Sequence, residues 1–188
     1  MKVKDQQKVA DIFKATLVLT GKVGLAGLKM SEIAKHANLA SGTIYVYFIS
    51  KETLLNELYS KLKQESINQL HIDLRSSSFK IEFKKVWLAS FAYRLQHQRE
   101  TIFMKQFRNS PFISDYNKSL TDQYLVELDL FISRGKEELL IKNVNTKILI
   151  GTIIGMLNEF SNIYQSTDSL ESIDSELLFN ICWDAIKA

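Results

Sequence analysis

Residues 24–55 read GLAGLKMSEIAKHANLASGTIYVYFISKETLL. Met30, Ile33, Ala34 and Ala37 recur at three- and four-residue spacing and predict one face of a short helix. Four residues, Asn38 to Ser41, separate it from another short helix that carries Ile44 and Phe48 inward. Ser50-Lys51-Glu52 then opens a longer helix, with Ser50 suited to the N-cap and Glu52 favourable in the first turn. Two short helices joined by a tight turn make a helix-turn-helix. The inward pair leaves Ser41, Gly42, Thr43, Tyr45, Val46 and Tyr47 outward or at the helix start. Two exposed tyrosines and small hydroxyl residues beside lysines are poor core and good nucleic-acid surface. So short a helix presents its N-terminal half and one face to a groove about 12 Å wide, and its start offers unpaired N–H groups to phosphate.

Helical periodicity continues on both sides. Val9, Ile12, Phe13, Thr16 and Leu17 predict a first helix over about residues 5–20, stopping at Gly21, with Gly24 and Gly27 in a turn-rich connection. Leu54, Leu55, Leu58 and Leu62 carry the fourth helix on to about Leu74. After a Ser76-Ser77-Ser78 turn, Phe79, Phe83, Val86, Trp87, Phe91 and Leu95 form one stripe. A short piece around Ile102, Phe103 and Phe107 ends at Pro111. Tyr116, Leu120, Tyr124, Leu128 and Phe131 mark a long helix stopping near Gly135. An apolar helix follows the Lys142–Asn145 turn and runs to about Tyr164, and after a polar loop Leu177, Leu178, Ile181, Cys182 and Ala185 mark the last. The expected fold is all-α, with about nine helices and no strand alternation.

Composition agrees. One proline and seven glycines in 188 residues favour long helices, and 46% hydrophobic with 24% charged residues argues against disorder. The single Cys182 excludes an internal disulfide and points to a reducing compartment. The start, MKVKDQQK, runs into no apolar stretch of the kind a secretory signal needs. The most apolar run, Ile148 to Leu157, is far short of the roughly 20 residues that span a membrane. A cytoplasmic location is expected. Net charge is +3, but residues 1–51 hold eight lysines against three acids, an excess of +5, and the remainder carries −2. Such a local excess is a footprint for phosphate, or else a solvated lysine-rich end.

On these residues the chain resembles the TetR family of bacterial transcriptional regulators. The matching parts are Glu32-Ile33-Ala34, Ala40-Ser41-Gly42-Thr43-Ile44-Tyr45, Tyr47-Phe48 and Ser50-Lys51-Glu52 with Leu54. The resemblance implies a three-helix DNA-binding domain over 1–52 and a helical ligand-binding and dimerisation domain over 53–188. It implies phosphate contacts from Thr43, Tyr45 and Lys51, a major-groove face from Ser41, Gly42, Val46 and Tyr47, and an approach to DNA at Ser31. Asn38 stands where glycine is usual and tolerates positive φ better than most residues. Ala40 stands where a capping Ser or Thr is common, so either Ser41 caps or the cap is missing. No arginine or lysine lies on the exposed face of the third helix, so specificity is expected to lean on tyrosine, threonine and DNA shape.

The resemblance further implies a ligand-responsive homodimer, a repressor released from palindromic double-stranded DNA by a small-molecule effector, with a cavity among the helices of residues 79–134. Eleven of the twenty aromatics fall in 53 residues there. Most are expected to fill core, while Trp87, Phe91, Phe103, Phe107 and Tyr124 are candidates for pocket walls around an apolar or aromatic effector. Gly151 and Gly155, within Ile148 to Leu157, permit close helix approach. With the last helix, through Leu178 and Cys182, they are candidates for a dimer interface, the alternative being a helix buried within the chain. His36, His71 and His97 share no ligand spacing, so no metal is expected. No catalytic motif occurs, so neither an enzyme nor a cofactor is expected. The alternative function is an all-α small-molecule-binding or protein-interaction module without sequence-specific DNA binding.

Overall fold

A computed structural model of the chain describes residues 5–69, 78–166 and 174–188. Among these described residues it consists of α1 (Gln6–Gly27), α2 (Met30–His36), α3 (Ile44–Tyr47), α4 (Lys51–Gln69), α5 (Phe79–Gln96), α6 (Gln98–Arg108), α7 (Asp115–Glu137), α8 (Thr146–Ser166) and α9 (Ser175–Ile186). No strand forms among them, and one isolated antiparallel bridge joins Ile141 to Lys187. The all-α expectation holds. The expected helix end near Leu74, His71, Ser76 and Ser77, Lys2 and Lys4, and the polar loop over 167–173 lie outside the described residues.

Packing divides the chain into two units. The first comprises Met1–Glu65 with His97–Thr121, and the second Ser66–Gln96 with Asp122–Ala188. This differs from a single cut after residue 52, because α6 packs on α1 and sends Phe103 and Phe107 into the first core. There they join Ile12, Ile33, Ile44, Phe48, Leu54 and Leu55, all fully buried. Phe13 meets Phe48 at 5.6 Å, and Phe107 meets Tyr59 at 5.4 Å between ring centroids. Each such side chain stabilises the unit by about 1.5–3 kcal/mol through burial.

Asp5 caps α1, accepting from the backbone N–H groups of Gln7 (3.1 Å) and Lys8 (3.4 Å). The helix does not stop at Gly21. One exposed glycine costs a helix only about 1 kcal/mol, which the packing of Leu17, Leu19 and Leu25 offsets. The break comes at Gly24, whose φ of +66° lies in the left-handed region that glycine enters freely.

The second unit packs Phe79, Phe83, Trp87 and Phe91 of α5 against Phe131 of α7, Leu149 and Leu157 of α8, and Phe179, Cys182 and Trp183 of α9. α7 ends at Glu137, close to the expected stop near Gly135. Gly135 lies under the Phe79 ring, where an added Cβ would sit 2.5 Å from Cζ. The helix turns off at Leu139, held at φ +56°, as the Leu140 N–H closes onto the Gly135 carbonyl at 3.0 Å.

Candidate nucleic-acid interface

The turn between α2 and α3 is built from backbone. The Ala37 N–H donates to the Ile33 carbonyl (2.9 Å) and the Leu39 N–H to that of Ala34 (2.9 Å). This closure needs a left-handed residue, and Asn38 supplies it at φ +55°. The Thr43 N–H then donates to the Ala40 carbonyl at 2.8 Å. Thr43 occupies the N-cap of α3 without a side-chain hydrogen bond, so Ser41 does not cap and the cap is missing. Ile44 and Phe48 are fully buried and lock the short helix by its inner face.

Its other face is open. Tyr45 is 53% exposed and Val46 75%, while Ser31, Ser41 and Gly42 are also exposed. Thr43 and Tyr47 are half-buried, and Tyr47 packs against the first core. Ile49, which the sequence pattern does not single out, is 83% exposed. Its signal was an apolar residue outside the inward spacing, squeezed between buried Phe48 and the capping Ser50. The Ser50 hydroxyl accepts from the Thr53 N–H at 3.1 Å, which fixes where α4 begins.

Lys51, in the first turn of α4, is half-buried. Its Nζ donates to the Leu28 carbonyl (3.2 Å) and stands 5.7 Å over the Phe112 ring. An ammonium has three donors, so this anchoring leaves capacity for a phosphate. Lys14, Lys22, Lys29 and Lys35 are exposed in the same unit and form no ion pair among the described residues. The arrangement suits a polyanion that accepts an apolar and hydroxyl face.

The five candidate pocket aromatics divide between the two units. Phe103 and Phe107 stack at 5.6 Å inside the first unit. Trp87 and Phe91 stack at 5.5 Å inside the second. Tyr124, half-buried, also belongs to the second unit, where burial pushes its phenol above its usual range and Arg94 opposes the shift. Arg94, on α5, donates from Nε to Asn158 Oδ1 (3.1 Å) and from Nη1 to the Ser90 carbonyl (2.9 Å).

The interface candidates divide as well. Ile148 is 62% exposed, and Gly151 and Gly155 share that open face of α8, so the chain alone does not bury this helix on every side. Leu178 and Cys182 point the other way. They are one turn apart on the inner stripe of α9, in the second core, which leaves Leu177 (56% exposed) and Ile181 on its outer face. Burial pushes the Cys182 thiol up to about 11, opposed weakly by the Trp87 indole N–H, which makes no hydrogen bond of good geometry. A thiol held neutral in this way is inert.

Two family models match the chain. "Bacterial regulatory proteins, tetR family" covers residues 12–58, and "Tetracyclin repressor-like, C-terminal domain" covers 78–187. An HTH-type transcriptional regulator of Haemophilus influenzae is 27% identical over 139 residues, 73% of each chain. The fatty acid metabolism regulator protein of Bacillus subtilis is 32% identical over 71 residues, 38% of this chain and 37% of its own. A TetR family transcription regulator from Marinobacter aquaeolei shares the fold, with a TM-score of 0.84 at 22% identity over 100% of this chain and 99% of that one. No described helix is long and apolar enough to cross a membrane.

Proposed function

The chain belongs to the TetR family of bacterial regulators, DNA-binding proteins and not enzymes, and from that premise we propose a homodimeric repressor that a small apolar effector releases from a palindromic operator. The observation that carries the reading is the α3 helix, locked by fully buried Ile44 and Phe48 while Tyr45 and Val46 stand open. Ser41, Gly42, Val46 and Tyr47 face the major groove, with Ile49 beside them. Thr43, Tyr45 and Lys51 hold phosphates, and Ser31 approaches the backbone from α2. Without a charged base-reading group on α3, discrimination rests on apolar contact with thymine methyls and on DNA shape.

A second copy covers the open faces of α8 and α9, through Ile148, Gly151, Gly155, Leu177 and Ile181. Leu178 and Cys182 support that surface from behind. Two recognition helices then read half-sites roughly 34–36 Å apart. The effector binds in the second unit near Trp87, Phe91 and Tyr124, while Phe103 and Phe107 serve as core. The fatty acid regulator of Bacillus subtilis among the relatives supports an apolar effector class. Effector binding favours dimer states whose recognition helices are wrongly spaced. The protein works in the cytoplasm, where its DNA is.

The reading is tested with a reporter gene placed behind DNA selected by the purified chain. Expression of the chain lowers transcription, and the Tyr45→Ala, Val46→Ala double variant restores it. A rise in transcription on expression makes the protein an activator and sinks the repressor reading.

A further inference from the structure

The guanidinium of Arg94 is partly removed from water and forms no ion pair with a carboxylate among the described residues. Its two partners, the Asn158 side-chain carbonyl and the Ser90 backbone carbonyl, are neutral. An arginine carries five N–H donors, so three remain without a partner among the described residues. Burial lowers its pKa while the Tyr124 and Tyr93 phenols oppose that shift, and the group stays charged. A charge held so, with only neutral acceptors, is a cost that packed hydrocarbon would avoid.

The surroundings describe what would offset that cost. Phe91, one turn earlier on α5, meets the Tyr164 ring edge-on at 6.1 Å and stacks on Trp87. The Gln165 amide donates to the Arg94 backbone carbonyl at 3.3 Å, which fixes this part of α5 to α8. The cation therefore sits at the end of an aromatic run, on two helices joined by hydrogen bonds. A planar fork of free N–H groups matches a carboxylate in two parallel hydrogen bonds. We propose that Arg94 is the head-group anchor of the effector site, and that the effector is a carboxylic acid with an apolar body lying against Tyr164, the open end of the aromatic run.

This deepens the repressor reading, and rests on it only in that the second unit binds an effector. The bland alternative is that Arg94 merely pins α5 to α8. Decanoate, decyl phosphate and decan-1-ol share a body and differ in head group, and each is titrated into the full-length protein by calorimetry. Wild type binds decanoate at least 10-fold more tightly than decan-1-ol, and at least as tightly as decyl phosphate. Arg94→Gln, which keeps an amide donor without the charge, brings acid and alcohol within about 2-fold, while Arg94→Lys keeps part of the preference. Ligand-free Arg94→Gln melts no lower than wild type.

Equal binding of acid and alcohol by wild type overturns the proposal, as does a 10-fold acid preference surviving in Arg94→Gln. Tighter binding of decyl phosphate overturns the carboxylate assignment. A large fall in the melting temperature of Arg94→Gln with unchanged acid preference establishes the pin instead. Operator release is read separately: decanoate that binds through Arg94 without releasing DNA sinks the repressor reading and leaves the anion site standing.

Discussion

Replacing Lys51 with methionine keeps the length and packing of the side chain and removes its charge. In the free protein this loses one hydrogen bond, to the Leu28 carbonyl at 3.2 Å, and one cation–π contact, with Phe112 at 5.7 Å. Together these predict a stability loss of about 1–2 kcal/mol, too little to unfold the first unit. On DNA the proposed homodimer would lose one phosphate contact per protomer. Each neutralised phosphate contributes roughly 0.9 to the slope of log K against log salt, so a dimer loses about 1.8. Wild type should therefore lose roughly 12-fold more affinity than Lys51→Met as potassium chloride rises from about 50 to 200 mM. Fluorescence anisotropy across that range, on both a selected operator and a random duplex, measures it. Both DNAs should weaken by the same factor at low salt. An unchanged slope, or a loss confined to the operator, refutes the placement of Lys51 on phosphate.

Val46→Ala and Ile49→Ala should leave the melting temperature within a degree or two, because both side chains are mostly exposed, yet reduce discrimination between selected and random DNA. Tyr47→Ala should lower both, since its ring packs on the core; equal binding of both DNAs before and after all three changes would misplace the recognition face. Gly135→Ala drives a Cβ to 2.5 Å from the Phe79 ring and should cost about 1–3 kcal/mol in urea unfolding, with neutrality contradicting the close approach. The Cys182 thiol is raised from 9.0 to about 11 in the folded chain. Above pH 9 the unfolded chain loses this proton first, so stability should fall between about pH 9 and 11, by roughly 2–3 kcal/mol. Cys182→Ala should remove that part of the pH dependence, and a pH profile identical to wild type would show the thiol is not its source.

Much of the fold was legible because helical spacing survives local error. The Met30–Ala37 face, the inward pair Ile44 and Phe48, the left-handed Asn38 and the Ser50 cap all depend on residues within one or two turns. What depended on distant partners was not legible. Gly21 looks like a stop but sits in a helix held by its neighbours, and nothing around Gly135 in the sequence shows that it receives a phenylalanine ring from α5. Phe103 and Phe107 read like the aromatics around them, and only the packing of α6 on α1 assigns them to the first core. On α9 the alternatives Leu177/Ile181 and Leu178/Cys182 have the same spacing, so periodicity finds two stripes without saying which one turns inward. Arg94 has no sequence signature at all. Its character comes from Asn158, more than sixty residues away, and from neutral hydrogen-bond partners among the described residues.

In the proposed complex α3 reads DNA as one of a symmetric pair. Selecting DNA from a random pool with the purified full-length chain, and sequencing what is retained, tests it most directly. The expected product is an inverted repeat whose half-site centres lie about one helical turn apart, roughly 10–10.5 base pairs, bound by two chains. Retention without an enriched sequence, or enrichment of a lone half-site bound by one chain, would contradict it.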